Sequence, residues 1–102
     1  MIVVSGTMKI NTSKRLNFIE SAKHVAIETR KEPGCLKYVV GADLEDESLF
    51  YVFEEWEDHK ALQAHFSTPH MTMYSQKIGD VIIREGTKFQ IYNVESVQPM
   101  RR

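Results

Sequence analysis

Glu54 and His65 are side chains of types that can move protons near neutral pH. An imidazole with an ordinary pKa of about 6.5 can accept a proton from a phenol or from a carbon next to a carbonyl. A carboxylate can orient such an imidazole or a substrate hydroxyl. His65 follows Ala61 and Leu62 at helical spacing, which places it on an apolar helix face. The pattern fits a general base with its carboxylate partner, but it also fits a core histidine and a solvated charge at a strand end.

Aromatic residues surround these two positions in the sequence. They could form flat apolar walls around an aromatic substrate, or they could pack in the core or between subunits. The candidates for substrate contact are Tyr38, Tyr51, Phe53 and Trp56.

A second group of candidates follows Pro69. His70 could flank the same cavity or be an exposed first-turn residue, and Met71 and Tyr74 could pack in the core or form an adaptable lid. His65 and His70 are five residues apart with a proline between them, unlike the i, i+4 pairs that bind zinc on helices. We therefore expect no metal site.

The composition excludes several classes of protein. A length of 102 residues predicts one domain over 1–102, with a frayed tail from about residue 99. Lys and Arg number 13 against 14 Asp and Glu, and their interspersion argues against nucleic-acid binding. No apolar run approaches the ~20 residues that cross a bilayer, so we expect a cytoplasmic protein without membrane contact. The single cysteine, Cys35, is expected to be a buried small hydrophobe.

The apolar periodicity predicts four strands and three helices. Alternation over 2–10 indicates the first strand, and helical spacing follows from about 14 to 31 until Pro33 and Gly34. Runs rich in Val, Tyr and Phe over 35–42 and 48–56 predict a hairpin. Asp58 should cap a second helix that ends before Pro69, and a third helix should cover 70–79. After a turn at 84–86, the last strand should run from Phe89 to Val97.

This element order predicts an α+β fold of the ferredoxin-like βαββαβ type, with helices on one face of an antiparallel sheet. Leu49, Tyr51 and Phe53 alternate with Phe50 and Val52, so both faces of the third strand are apolar. Leaving one face in water would cost a few kcal/mol at about 25 cal/mol per Å². We therefore expect a homodimer formed through the sheet faces, with remaining space between sheet and helices as an apolar pocket.

The segment from Glu54 to His70, taken with the Pro33-Gly34-Cys35 lead into the second strand, resembles the antibiotic biosynthesis monooxygenase (ABM) family. The similar features are the element order, the E-x-W strand end and the A-L-x-x-H helix. The resemblance implies a small dimeric α+β barrel. It also implies a monooxygenase that oxidises a small quinol or polyphenol with O₂ and no cofactor, with His65 as base and Glu54 as its orienting partner.

Other members of the family degrade heme or isomerise a phosphorylated autoinducer. At the positions of the heme branch's Asn, Trp and ligand His, this chain has Thr7, His65 and Ser75 in an ungapped alignment. Serine cannot replace an axial imidazole, so heme is not expected.

Two other functions remain open from the sequence. The same His and Glu could serve an isomerase or lyase acting on a small carbonyl metabolite, although a phosphorylated substrate would need cations, for which Lys37 and Arg84 are weak candidates. The chain could also be a dimeric binding or stress-response module without catalysis.

Overall fold

The computed structural model describes residues 1–101 and contains four strands and three helices. The strands are β1 (Ile2–Ile10), β2 (Cys35–Ala42), β3 (Leu49–Trp56) and β4 (Ile82–Asn93), and the helices are α1 (Arg15–Thr29), α2 (His59–Phe66) and α3 (Pro69–Ile78). A 3-10 turn at Thr12–Lys14 leads into α1. No helix within the described residues is both long and apolar enough to cross a membrane.

The four strands form one antiparallel sheet in the order β2-β3-β1-β4. β1 and β3 are therefore the two central strands of the sheet, and β2 and β4 are its edge strands. The helices α1 and α3 contact each other and α1 also contacts β2, so one face of the sheet is covered. The predicted ferredoxin-like α+β fold is confirmed.

Local capping signals set the helix starts near the site. The Asp58 side chain accepts a hydrogen bond of 2.9 Å from the backbone N–H of Ala61, and the Thr68 hydroxyl accepts one from Met71. Pro69 occupies the first turn of α3, where its missing N–H has no helical partner to lose. These caps place α2 and α3 end to end, with His65 and His70 on either side of the break.

The core lies between the helices and one face of the sheet. Alternate residues of β1 and β3 point into it, beginning with Ile2, Val4 and Met8 in β1 and Phe50 and Val52 in β3. The period-2 pattern therefore predicts the burial of these two strands correctly. Cys35 is only partly buried at the edge of this core, rather than fully buried as predicted.

The last strand differs from its prediction. Residues 84–86 do not form a turn that precedes β4 but lie within the strand, where the register with β1 shifts between Thr7 and Lys9. Gly86 has φ +93°, and the Thr87 hydroxyl accepts a hydrogen bond of 2.9 Å from the Lys9 backbone N–H. The glycine therefore supports a bulge in a continuous ladder. β4 ends at Asn93, whereas the sequence predicted that it would run to Val97. Arg102, which belongs to the predicted frayed tail, lies outside the described residues.

The loop between α1 and β2 packs closely on α2. Gly34 has φ +83°, and a Cβ at this position would lie 2.6 Å from the Ala61 Cβ. The Gly34 carbonyl also accepts a hydrogen bond of 2.9 Å from the Glu57 backbone N–H. A glycine is required here because the backbone is left-handed and the two segments touch. This contact brings Glu32, two residues earlier, beside α2.

The second face of the sheet carries four large apolar or aromatic side chains that are 38% to 47% exposed. We call this surface the open sheet face; its members are Val39, Tyr51, Phe53 and Tyr92. Val39 is paired with Phe53 across the ladder and Tyr51 is two residues from Phe53 on β3, so these three side chains are neighbours, while Tyr92 lies on β4 on the far side of β1. Exposed apolar patches of this kind mark contact surfaces in many proteins.

Candidate active site

A cavity of about 390 Å³ lies between the sheet and helices α2 and α3. Its lining is predominantly apolar, and its size is within the ~300 to 1,000 Å³ typical of small-molecule sites. Glu54 and His65 are the titratable carboxyl and imidazole groups in the lining, and Tyr38, Met71 and Tyr74 contribute to its walls. The structure therefore places His65, the predicted base, and Glu54, its predicted orienting partner, in the wall of one cavity.

The His65 imidazole is held inside a shell of aromatic rings. The residue is 1% exposed, and its ring centroid lies 4.8 Å from Trp56, 5.9 Å from Tyr38 and 5.7 Å from Phe66. Burial lowers its pKa below the usual value, and a hydrogen bond to Glu32 opposes that shift. The ring therefore favours the neutral form that can accept a proton.

Glu32 fixes the orientation of this imidazole. Its Oε2 lies 2.7 Å from Nδ1 of His65 and 2.7 Å from Nε2 of His70. A carboxylate oxygen accepts hydrogen bonds, so the nitrogen that faces it must carry the hydrogen. In neutral His65 the hydrogen is thus on Nδ1, and Nε2 has the free lone pair.

Glu54 has a different partner from the one predicted. Its Oε1 accepts a hydrogen bond of 2.9 Å from Trp56 Nε1, whereas the hydrogen-bonded carboxylate of His65 is Glu32. The predicted pairing of Glu54 with His65 is therefore wrong. The reason is that β3 points Glu54 and Trp56 to the same face, so the indole N–H is the nearer donor.

The environment of Glu54 favours its protonated form. Burial in the cavity wall raises its pKa to about 7, while the bond from Trp56 opposes this shift and the Glu32 charge adds to it. At neutral pH Glu54 therefore exists in both protonation states. Such a group can either accept a hydrogen bond from a substrate hydroxyl or donate one.

Three of the predicted wall residues lie elsewhere. Tyr51 and Phe53 point to the open sheet face, because they alternate with the buried residues of β3. Trp56 is fully buried beside His65 and is absent from the cavity lining. The prediction that these three aromatics wall the cavity is wrong.

Other walls come from residues that the sequence did not single out. Phe89 and Ile91 of β4 line the cavity. They pair with Gly6 and Val4 of β1, so they point to the same face of the sheet as the buried residue Val4. A Cβ at Gly6 would overlap the Phe89 ring, so the glycine leaves room for it.

His70 also differs from prediction: it is partly buried against Glu32 and does not line the cavity. The sequence analysis did not identify Glu32 as a site residue, and its only sequence signal is its position directly before Pro33 and Gly34.

Glu54 should make the stability of the protein depend on pH. Its pKa rises from 4.5 in the unfolded chain to about 7 in the fold, so ionisation is disfavoured in the folded state. The free energy of unfolding should fall as pH rises from about 4.5 to 7, by at most roughly 3 kcal/mol, and remain lower above that range. Urea unfolding of wild type and Glu54→Gln at pH 5 and pH 8 measures the contribution of Glu54 to the change in the free energy of unfolding with pH.

The Glu54→Gln variant keeps an oxygen that can accept the bond from Trp56. It should lose less stability between pH 5 and pH 8 than wild type, and the comparison cancels the contribution of the histidines. Equal pH dependence in the two proteins would mean that Glu54 ionises as freely in the fold as in the unfolded chain.

Comparison with known proteins agrees with this fold and shows the family of the chain. The family model "Antibiotic biosynthesis monooxygenase" matches residues 1–77. "Putative monooxygenase YcnE" of Bacillus subtilis is 29% identical over 76% of this chain and 81% of its own length. An isomerase of (4S)-4-hydroxy-5-phosphonooxypentane-2,3-dione from Salmonella paratyphi B is 26% identical over 79% of this chain and 84% of its own.

A solved structure shows the same fold. The crystal structure of a "putative antibiotic biosynthesis monooxygenase" from Deinococcus radiodurans superposes with a TM-score of 0.90, covers 100% of both chains and is 23% identical. The fold is thus shared from end to end, and the family match extends over three quarters of the chain. The chain belongs to the antibiotic biosynthesis monooxygenase family.

Proposed function

We propose that this protein is a monooxygenase that oxidises a small quinol or polyphenol with O₂ and uses no bound cofactor. The observation that carries the proposal is the position of the Glu32–His65 pair: one imidazole nitrogen is bound to a carboxylate, and the ring borders an apolar cavity. This arrangement suits a base that removes a proton from a bound hydroxyl. Family membership and the monooxygenase name of a relative agree with it.

The reaction needs no external reductant, because the quinol supplies the electrons. His65 Nε2 takes a proton from a ring hydroxyl, and the quinol anion gives one electron to O₂. The resulting superoxide and semiquinone combine into a ring-carbon hydroperoxide after His65 returns its proton. Loss of water then leaves a hydroxylated quinone, so one oxygen atom of O₂ enters the product and the other leaves as water.

The other residues of the cavity position the substrate. Glu54 can hold the second hydroxyl of a quinol, since its carboxyl group both accepts and donates hydrogen bonds near neutral pH. Tyr38, Met71 and Tyr74 supply apolar surface against the aromatic ring. The apolar lining also limits the contact of water with the quinol anion.

An isomerase that shifts a proton on a small carbonyl compound is the second candidate. The isomerase name of relatives favours it, and the same base could remove a proton next to a carbonyl. The described cavity lining contains no lysine or arginine, so a phosphorylated substrate would lack a partner there. Of the predicted cations, Lys37 lies over the Phe53 ring on the open sheet face. These facts favour the quinol.

Oxygen consumption distinguishes the candidates. Purified protein is mixed with a series of one- and two-ring quinols in chelator-treated buffer, so that trace metals do not oxidise them. We expect protein-dependent uptake of one O₂ per quinol, with ¹⁸O from ¹⁸O₂ in the product. Proton exchange into carbonyl compounds without O₂ uptake would indicate the isomerase, and thermal shifts without either reaction would indicate a binding module.

We also propose that a second copy of the chain covers the open sheet face. Its four exposed side chains are apolar or aromatic, and burying them would contribute several kcal/mol at about 25 cal/mol per Å². Phe53→Asp should raise the dimer dissociation constant about 100-fold or more, because a charge would enter the centre of the interface. Light scattering after size exclusion measures the change.

The matched control for this variant is Leu16→Asp. Leu16 is 77% exposed on α1, which covers the opposite face of the sheet, so this change should leave the dimer intact. A wild-type monomer at high micromolar concentration, or Phe53→Asp with unchanged mass, would refute the proposed interface.

A further inference from the structure

The Glu32 carboxylate joins two histidines that lie on different helices. Its Oε2 is 2.7 Å from both His65 Nδ1 and His70 Nε2, and ligand atoms of the three residues lie within 4.8 Å of one another. Two imidazoles and one carboxylate are a donor set that binds zinc and similar ions. The spacing of His65 and His70 in the sequence predicted no metal site because it did not account for Glu32; against that expectation, we propose that Glu32, His65 and His70 form a site for a divalent transition metal ion.

The three side chains are sheltered but reachable. The side chains alone are 2% exposed for His65, 9% for Glu32 and 16% for His70, so His70 marks the side open to solvent. With both rings neutral, the group would carry the single negative charge of the carboxylate, which favours a cation. A cation that bound there would replace the two ring hydrogens that now point at Oε2.

The three side chains must rearrange to hold a metal. Ligand atoms at about 2.1 Å from a tetrahedral ion lie about 3.4 Å apart, so each nitrogen-to-oxygen distance must widen by about 0.7 Å from its present 2.7 Å. The two ring nitrogens, which lie within 4.8 Å of each other, must take up the same spacing. Three protein ligands leave the fourth position for water.

Metal binding at Nδ1 would change the state of the other ring nitrogen, Nε2, which is the proposed base. A metal ion on Nδ1 of His65 takes the lone pair there, and the single hydrogen of the neutral ring moves to Nε2. Nε2 then donates rather than accepts, so the base is switched off. This inhibitory effect rests on the proposed function, whereas metal binding does not.

Cobalt provides a test that does not depend on turnover. Chelator-treated protein is titrated with Co²⁺, whose visible absorption reports tetrahedral nitrogen and oxygen ligands, and Zn²⁺ is then added as a competitor. We expect one Co²⁺ per chain and displacement by Zn²⁺. His70→Gln should weaken binding about 100-fold or more, since it removes one of three ligands.

His59→Gln is the matched control. His59 is exposed and contacts Asn93, so its replacement should leave Co²⁺ binding unchanged. Equal affinity in wild type and His70→Gln, or no tetrahedral spectrum at millimolar Co²⁺, would overturn the site. Circular dichroism of each variant shows that it is folded, and Glu32→Gln provides a second ligand deletion if His70→Gln is not.

The activity assay separates the two proposals. If quinol oxidation is found, Zn²⁺ should inhibit it reversibly, and His70→Gln should need much more Zn²⁺ for the same inhibition. Zinc that binds without inhibiting would overturn the inhibitory effect alone. If no oxidation is found, the cobalt titration still decides whether the metal site exists.

Discussion

The His65→Ala variant is expected to oxidise quinols about 100- to 10,000-fold more slowly than wild type, the range typical for loss of a general base. The imidazole borders the cavity, and no other imidazole lines it within the described residues. The loss should appear in kcat, because the step that is slowed is proton removal from a bound substrate. Oxygen uptake under saturating quinol measures it.

Two further variants make this result interpretable. His65 is buried against Trp56, so its truncation could also destabilise the fold, and His65→Gln retains more of the volume. His24→Ala changes an exposed histidine of α1 and should keep wild-type activity. Wild-type rates in folded His65→Ala would show that another group removes the proton.

The Glu32→Ala variant is expected to lower kcat about 10- to 100-fold with little change in KM, as is found when the partner of a functional histidine is removed. Glu32 is absent from the cavity lining, so it acts through His65 rather than on the substrate. Without the carboxylate, the ring hydrogen is free to reside on either nitrogen. Glu32→Gln keeps an acceptor oxygen and should retain more activity than Glu32→Ala.

Nitrogen NMR shows whether Glu32 positions the ring. In wild type, Nδ1 of His65 should resonate as a protonated nitrogen and Nε2 as an unprotonated one. In Glu32→Ala both signals should move toward the average of the two forms. A loss of kcat with an unchanged tautomer, or an unchanged kcat with a mixed tautomer, would contradict the positioning role.

The sequence predicted the elements of the fold well because their signals are local. Asp58 and Pro69 act within one helical turn, and the alternation in β1 and β3 follows directly from the geometry of a strand. Position 86 was misinterpreted because glycine supports both turns and bulges, and only the pairing of β4 with β1 distinguishes them.

The site was predicted only in part because its key contact is distant in the chain. Glu32 is 33 residues from His65, and the left-handed Gly34 that brings them together resembles an ordinary helix stop in sequence. Glu54 was the nearer carboxylate along the chain, but the pleat directs it to Trp56 and into the cavity wall. Pairing between side chains on different elements requires the fold itself.

The most direct test of the proposed chemistry is the absorption spectrum of a bound nitrocatechol, an acidic analogue of the quinol whose first hydroxyl has a pKa close to that of imidazole. At a pH just below this pKa the free analogue is mostly neutral, and proton transfer to His65 should produce the phenolate, which absorbs at longer wavelength. We predict this long-wavelength band when the analogue binds wild type and its loss in His65→Ala under conditions where the analogue still binds. A bound analogue that stays neutral with wild type, or the same band with His65→Ala, would contradict the role of His65 as the base.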